Sequence, residues 1–407
     1  MKTFTKFITE DKNTHMTHIE DRVIYGGAKG TRQAIFALRD LRNILGGKHK
    51  GDISVKWDGA PAIFAGIDPT DGKFFVAKKG IFNKNPKVYK TKEDVDADTS
   101  GDLAEKLNDA LKYLPELGIK GVIQGDFLFG IGDVKTKTID KTKYTTFHPN
   151  TIVYAVPYEQ SKEIRDAKIG IVWHTTYTGN TFESMKATFG VNVSKLKKSK
   201  NVWSQDAMLR DVSKATMSPK ETEEVNEYLS QIGKLFNQIS GSTLKTLENN
   251  PVLSQTIETF NNTFVRKGQI IGNTKKHTSQ LISYIKGKYQ KEIDKRKTEK
   301  GKATQVQKRD DIIEFFSKEN SAALEKMFEL QKLIVVVKLK LIAQLNSLSS
   351  IDTFVRTKDG YKVTGEEGYV AIDKIGGGAV KLVDRMEFSY NNFSADVLKG
   401  WESQGKK

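Results

Sequence analysis

Lys56 occupies a position suited to nucleophilic chemistry. It ends the apolar, β-prone run ISV and opens the polar group Lys56, Trp57, Asp58 and Gly59, after which the apolar APAIFAG resumes. A lysine amine attacks an electrophile only after losing its proton, and it does so at neutral pH only if it is desolvated or crowded by other cations. A strand end packed against a sheet supplies that setting. The bland alternative is a hairpin carrying an exposed lysine.

The elements needed to position such a group are legible in the pattern. Residues 18–45 read as a helix in which Ala34, Leu38, Leu41 and Leu45 repeat at helical spacing. Residues 101–117 read as a second, amphipathic helix, with Leu103, Leu107, Leu111 and Leu114 on one side and Pro115 closing it. The run around Lys56, KFFVAKKGIF, GVIQGDFLFG, the stretch TIVYAVPY after the turn at His148-Pro149-Asn150, and KIGIVWHTTYTG read as strands. Near residue 180 the texture changes. Ser218-Pro219-Lys220-Glu221 is a capping box followed by the stripe Val225, Leu229, Ile232, Phe236 and Ile239, and further helices are expected at 252–266, 277–298 and 308–347. Strand texture returns after Ser350. The expected fold class is therefore α+β: a mainly antiparallel-sheet domain made of residues 1–180 and 351–407, interrupted by an all-helical insert at 181–350.

The 407 residues include no cysteine, which excludes disulfides and thiolate zinc sites. The polar start MKTFTKFITEDKN lacks an apolar core of signal-peptide length, and LIVVVKLKLIAQL is interrupted by Lys338 and Lys340. A buried bundle helix and a cytoplasmic protein without a membrane segment are expected. The formal charge is +16, and residues 176–350 hold 29 Lys and Arg against 18 Asp and Glu, or +11 of it. Such an excess favours a polyanion partner. Its densest part, residues 284–302, contains Lys291, Lys295, Arg296 and Lys297. These form either a nucleic-acid contact or a solvated helix face, and the same alternatives hold for Lys29, Arg32, Arg39 and Arg42.

In its order of residues, Lys56-x-Asp58-Gly59 resembles the nucleophile motif of the covalent nucleotidyltransferase superfamily, which includes ATP-dependent DNA ligases, RNA ligases and mRNA capping enzymes. Later stretches resemble its further motifs in the same order. Lys78, Lys79 and Gly80 resemble the second, with lysine where the family usually has arginine, and Asp126 in GVIQGDFLFG resembles the third, with aspartate in place of the usual glutamate. TIVYAVPY resembles the strand whose aromatic ring meets the purine, here Tyr154 with Tyr158 behind it. Glu367-Gly368 resembles the fourth motif, and Lys381 in GGGAVKLVDR the fifth, with Val383 where members commonly carry a second lysine. The resemblance implies that Lys56 attacks the α-phosphate of ATP and expels pyrophosphate. It further implies that Asp58, Gly59, Lys78, Asp126, Tyr154, Glu367 and Lys381 bind the nucleotide, and that Asp126 and Glu367 hold Mg2+ or Mn2+. Only 26 residues follow Lys381, too few for the terminal oligonucleotide-binding barrel of DNA ligases and capping enzymes, so an RNA-ligase-like enzyme is expected, with RNA favoured over DNA. The overall pattern is similar to ligase-like proteins of large tailed bacteriophages. The alternatives are a capping-type guanylyltransferase and a nucleic-acid-binding protein on a catalytically inactive ligase scaffold.

Overall fold

The computed structural model of the chain describes residues 17–48, 52–209, 212, 216–317, 320–349, 351–373 and 378–400. The N-terminal stretch MKTFTKFITEDKN and the glycines Gly376 and Gly377 of the fifth-motif stretch lie outside the described residues. The architecture is α+β, with three sheets among those residues, and all strand pairs are antiparallel except β8 with β10.

The first sheet has the order β11 (Met208–Leu209), β1 (Ile53–Lys56), β14 (Gly368–Asp373), β15 (Gly378–Leu382). The second runs β10 (Val202–Asp206), β8 (Ile169–Thr178), β4 (Val122–Phe129), β2 (Ala62–Ile67), β3 (Phe74–Ala77), with β9 (Lys186–Phe189) also on β8. The third is β13 (Gly360–Val363), β12 (Asp352–Thr357), β7 (Ile152–Pro157), β6 (Thr142–Phe147), β5 (Lys135–Ile139). The polypeptide passes from β1 in the first sheet straight to β2 in the second, so the Lys56 tetrad is the link between them. Helix α4 (Gly101–Tyr113), with α3 (Lys92–Asp98) before it, covers one face of the second sheet; Leu107, Ala110 and Leu114 are fully buried there with Ile63, Val76 and Phe127.

The expected helices recur with adjusted ends. Residues 18–45 comprise a short helical turn, α1 (Arg22–Tyr25) and α2 (Gly27–Leu45). A five-residue helix, α5 (Lys162–Asp166), precedes β8, and the capping box at Ser218 opens α6 (Pro219–Phe236), with both reciprocal hydrogen bonds made. Then follow α7 (Gly241–Asn249), α8 (Pro251–Val265), α9 (Thr274–Asp294) and α10 (Glu299–Phe316). The helix read over 308–347 is two, α10 and α11 (Ser321–Asn346), and α12 (Arg385–Phe393) is the last helix among the described residues.

The insert differs from expectation in two respects. Residues 186–209 include three strands of the first and second sheets, so the run of long helices begins at Pro219 and not at 181. Nor does it have a core of its own. Leu38, Leu41 and Leu45 of α2, Leu229 and Ile232 of α6, Leu330 and Leu341 of α11, and Tyr369 and Leu382 of the first sheet belong to one continuous buried cluster. The helices thus back the sheet that carries Lys56 and Lys381.

The hairpin of α9 and α10 is rooted in that core at one end only. His277, Thr278, Leu281 and Ile285 are buried in α9, and Ile312 and Phe316 in α10, whereas no residue from 286 to 311 is buried.

Candidate active site

Antiparallel register brings the charged residues of the first sheet together. Lys56 lies opposite Gly368 on β14, and Val370 opposite Lys381 on β15. Glu367 directly precedes that partner glycine, and its Oε2 forms an ion pair with Lys56 Nζ. Gly368 has φ +154°, and a Cβ there would stand 2.4 Å from the Leu382 carbonyl oxygen, so the position excludes a side chain. The Lys56 side chain is 33% exposed and that of Glu367 10%. Burial pushes the Glu367 carboxyl above the usual range, against the pull of Lys56. Lys381 is lowered by burial and then by Lys56, and its Nζ stands 5.6 Å from the centroid of the Phe388 ring.

The tetrad then turns tightly onto the second sheet. Ala60 N–H donates to the Phe127 carbonyl at 2.9 Å, and Phe127 N–H to that of Pro61 at 3.0 Å. Gly59 fits this turn because a Cβ would approach the Asp126 Cβ to 2.6 Å. Asp126, opposite Ala62 on β2, is thereby held against the tetrad. Burial pushes its carboxyl up to about 7, with Lys56 and Lys79 opposing the rise and Asp58 adding to it. No described residue donates a hydrogen bond to this carboxylate. His174 on β8 faces it, Nε2 to Oδ2 at 3.7 Å, and burial lowers the imidazole to about 4.

Three of the expected nucleotide-binding residues are engaged elsewhere. Asp58 is buried; its Oδ1 accepts from Asn150 Nδ2 at 2.8 Å and its Oδ2 from the N–H groups of Thr151 and Ile152 at 2.7 and 2.8 Å. It ties the tetrad to the turn at 148–152 and has no free face for a ribose. Tyr154 is fully buried, its hydroxyl accepting from Asp58 N–H at 2.7 Å and its ring packed between Trp57 and Phe147 at centroid distances of 4.8 and 5.4 Å. It buttresses the tetrad and cannot stack on a purine. Lys78 pairs with Asp98 at 3.4 Å and lies 5.7 Å from the Tyr89 ring, on the helix-covered face of β3. The charge of its neighbour Lys79, like that of Lys56, reaches Asp126. Strand alternation sends adjacent side chains to opposite faces, and the sequence does not say which face holds the site.

The structure therefore brings together Lys56, Glu367, Lys381 and Asp126, with Gly59 making the approach possible. The chain belongs to a family of unknown function (DUF6267), whose model matches residues 13–397. No curated protein and no solved structure matches it. Among the described residues no group of three or more His, Cys, Asp or Glu side chains is arranged to hold a metal ion. Asp126, to which no described residue donates a hydrogen bond, is the carboxylate beside Lys56 left open to a cation.

Two features were missed in the sequence. One is His174, which is separated from Asp126 by 48 positions and signalled only by its place in a strand. The other is a buried charge network behind Lys381. His18 bridges to Lys381 at the edge of β15, and Lys338 of α11 pairs with Glu20 at 2.8 and 2.9 Å, both side chains 4% exposed or less. Arg385 contacts Asp21 at 2.8 Å and Glu20 at 3.5 Å.

Lys291, Lys295, Arg296 and Lys297 are exposed at the far end of the α9–α10 hairpin, with Lys295 paired to Glu292 at 2.8 Å. Residues 286–311 hold ten Lys and Arg against five Asp and Glu. Among the described residues no helix is long and apolar enough to cross a membrane.

Proposed function

We propose that the chain is an ATP-dependent covalent nucleotidyltransferase of RNA-ligase-like type that seals or adenylylates nucleic-acid ends. The observation supporting it is that Lys56, ion-paired with Glu367, stands within electrostatic reach of Asp126 and Lys381 where the first sheet passes into the second, although the four residues are separated by up to 325 positions. In this proposal the first and second sheets are the nucleotidyltransferase domain.

Lys56 Nζ attacks the α-phosphorus of ATP; the N–P bond forms as the P–O bond to pyrophosphate breaks, and pyrophosphate leaves. The ammonium proton passes to Glu367 Oε2, already in contact with Nζ and made more basic by burial. Lys381 neutralises charge on the α-phosphate. Asp126 would hold a divalent cation, which would supply further neutralisation of phosphate charge. The nucleotide then passes from Lys56 to a 5′-phosphate on nucleic acid. The exposed basic hairpin is the surface proposed to follow the phosphate backbone.

Engagement of Asp58 and Tyr154 within the protein favours a second possibility, a nucleic-acid-binding protein on an inactive ligase scaffold. Incubation with α-32P-ATP or α-32P-GTP and Mg2+ or Mn2+, followed by a denaturing gel, separates these. The proposal expects a labelled band with ATP that is absent in Lys56→Ala. Labelling by GTP alone indicates a capping-type enzyme, and no label with either nucleotide together with oligonucleotide binding indicates the inactive scaffold.

A further inference from the structure

We infer that Asp126 Oδ2 and His174 Nε2 are the two protein ligands of a divalent-cation site beside Lys56, one that prefers manganese to magnesium. Their separation of 3.7 Å is too long for a hydrogen bond, yet it matches two ligands of one ion. Atoms each roughly 2.1 Å from a common metal lie about 3 to 4 Å apart. The imidazole is oriented as a ligand would be. Its Nδ1 is 2.7 Å from Thr175 Oγ1, which leaves Nε2 directed at the carboxylate; a metal-binding histidine characteristically holds its other nitrogen in such a bond.

At 3.7 Å the imidazole nitrogen and the carboxylate oxygen face each other without a hydrogen bond between them. The other charged groups acting on Asp126 are Lys56, Lys79 and Asp58. A carboxylate that receives no hydrogen bond from a described residue, facing an imidazole nitrogen, supplies two ligands of a coordination sphere. Water and phosphate oxygens fill the rest. Magnesium demands an oxygen octahedron, whereas imidazole suits first-row transition ions, so the nitrogen ligand biases the site toward Mn2+.

The site draws on the nucleotidyl-transfer proposal only for its place beside Lys56, so it is tested without nucleotide. Binding of Mn2+ to the full chain is followed by loss of the free-ion electron paramagnetic resonance signal, with Mg2+ as competitor. The expected result is tighter binding of Mn2+ than of Mg2+, with a loss of ten-fold or more in Mn2+ affinity in both His174→Ala and His174→Gln. In the unmutated chain, substoichiometric Mn2+ should broaden the His174 imidazole resonances before those of His277, which is buried in the helical core. Parent-like Mn2+ affinity in the His174 variants, equal competition by Mg2+, or simultaneous broadening of both histidines overturns the inference. Cation binding without Lys56 labelling would overturn the proposed function and leave this site standing; labelling with unchanged Mn2+ affinity in His174→Ala would do the reverse.

Discussion

The Glu20–Lys338 pair offers the most quantitative test of how the helices support the sheet that carries Lys56 and Lys381. Lys338 Nζ lies 2.8 and 2.9 Å from the two Glu20 oxygens, and the side chains are 1% and 4% exposed. Burial alone would raise the Glu20 carboxyl, but Lys338 and the other cations around it overcome that rise and hold it well below the usual carboxylate range. In Glu20→Gln the ammonium of Lys338 stays buried without a counter-charge, and loss of one partner of a buried pair costs about 3 to 5 kcal/mol. Lys338→Met is expected to cost less, because Arg385 at 3.5 Å still answers Glu20. The double variant should be more stable than the sum of the two single losses predicts, by about 1 to 3 kcal/mol. Urea unfolding at pH 7, with m compared across the four proteins, measures all three quantities. Additive losses, or a Glu20→Gln loss below about 1 kcal/mol, would refute the claim that this pair ties α11 to the turn Ile19–Asp21 that follows the His18 bridge to Lys381.

Three further outcomes concern the tetrad, the helical core and the basic hairpin. Gly59→Ala should leave the chain folded but sharply reduce self-labelling, because its Cβ at 2.6 Å from the Asp126 Cβ forces the tetrad off β4; labelling at the parent rate contradicts this. His277, ringed by Phe260, Phe264 and Phe328, is lowered by burial to about 4, so the unfolded state takes up a proton below pH 6.5 that the folded state refuses until near 4. Stability should fall with acid over that window, by up to about 1.4 kcal/mol per pH unit from this residue, and His277→Gln should flatten the slope in a pH series of urea melts. Replacing Lys291, Lys295, Arg296 and Lys297 with glutamine should weaken binding to oligonucleotides of any sequence. It should also make the slope of log affinity against log salt shallower by roughly 0.7 to 0.9 for each phosphate no longer neutralised. An unchanged slope assigns the run to a solvated face.

Much of this was legible because the signals were local. The 3.6-residue stripe of α4 and the capping box at Ser218 each state their element within a few residues. Lys56, Asp126, Glu367 and Lys381 were found through the order of their motifs, and register on β1, β14 and β15 explains why three of them meet. What failed was the choice of face. Tyr154 and Lys78 alternate correctly along their strands, but one ring points into the core and one ammonium toward α3, and period two cannot distinguish the sides. The short polar strands β9 to β11 carry too little apolar pattern to separate them from the helical part. Glu20 and Lys338 are 318 positions apart, and no local rule pairs them.

The central claim is that Lys56 is the nucleophile. The full chain is incubated with ATP and Mg2+ or Mn2+, digested, and its peptides are sequenced by mass spectrometry, with an acid-stability test for the phosphoramidate bond. The account predicts an acid-labile adenylate on the peptide containing Lys56, and none on the peptides containing Lys79 or Lys381. An adenylate on a different lysine, or none in the presence of either cation, would contradict it.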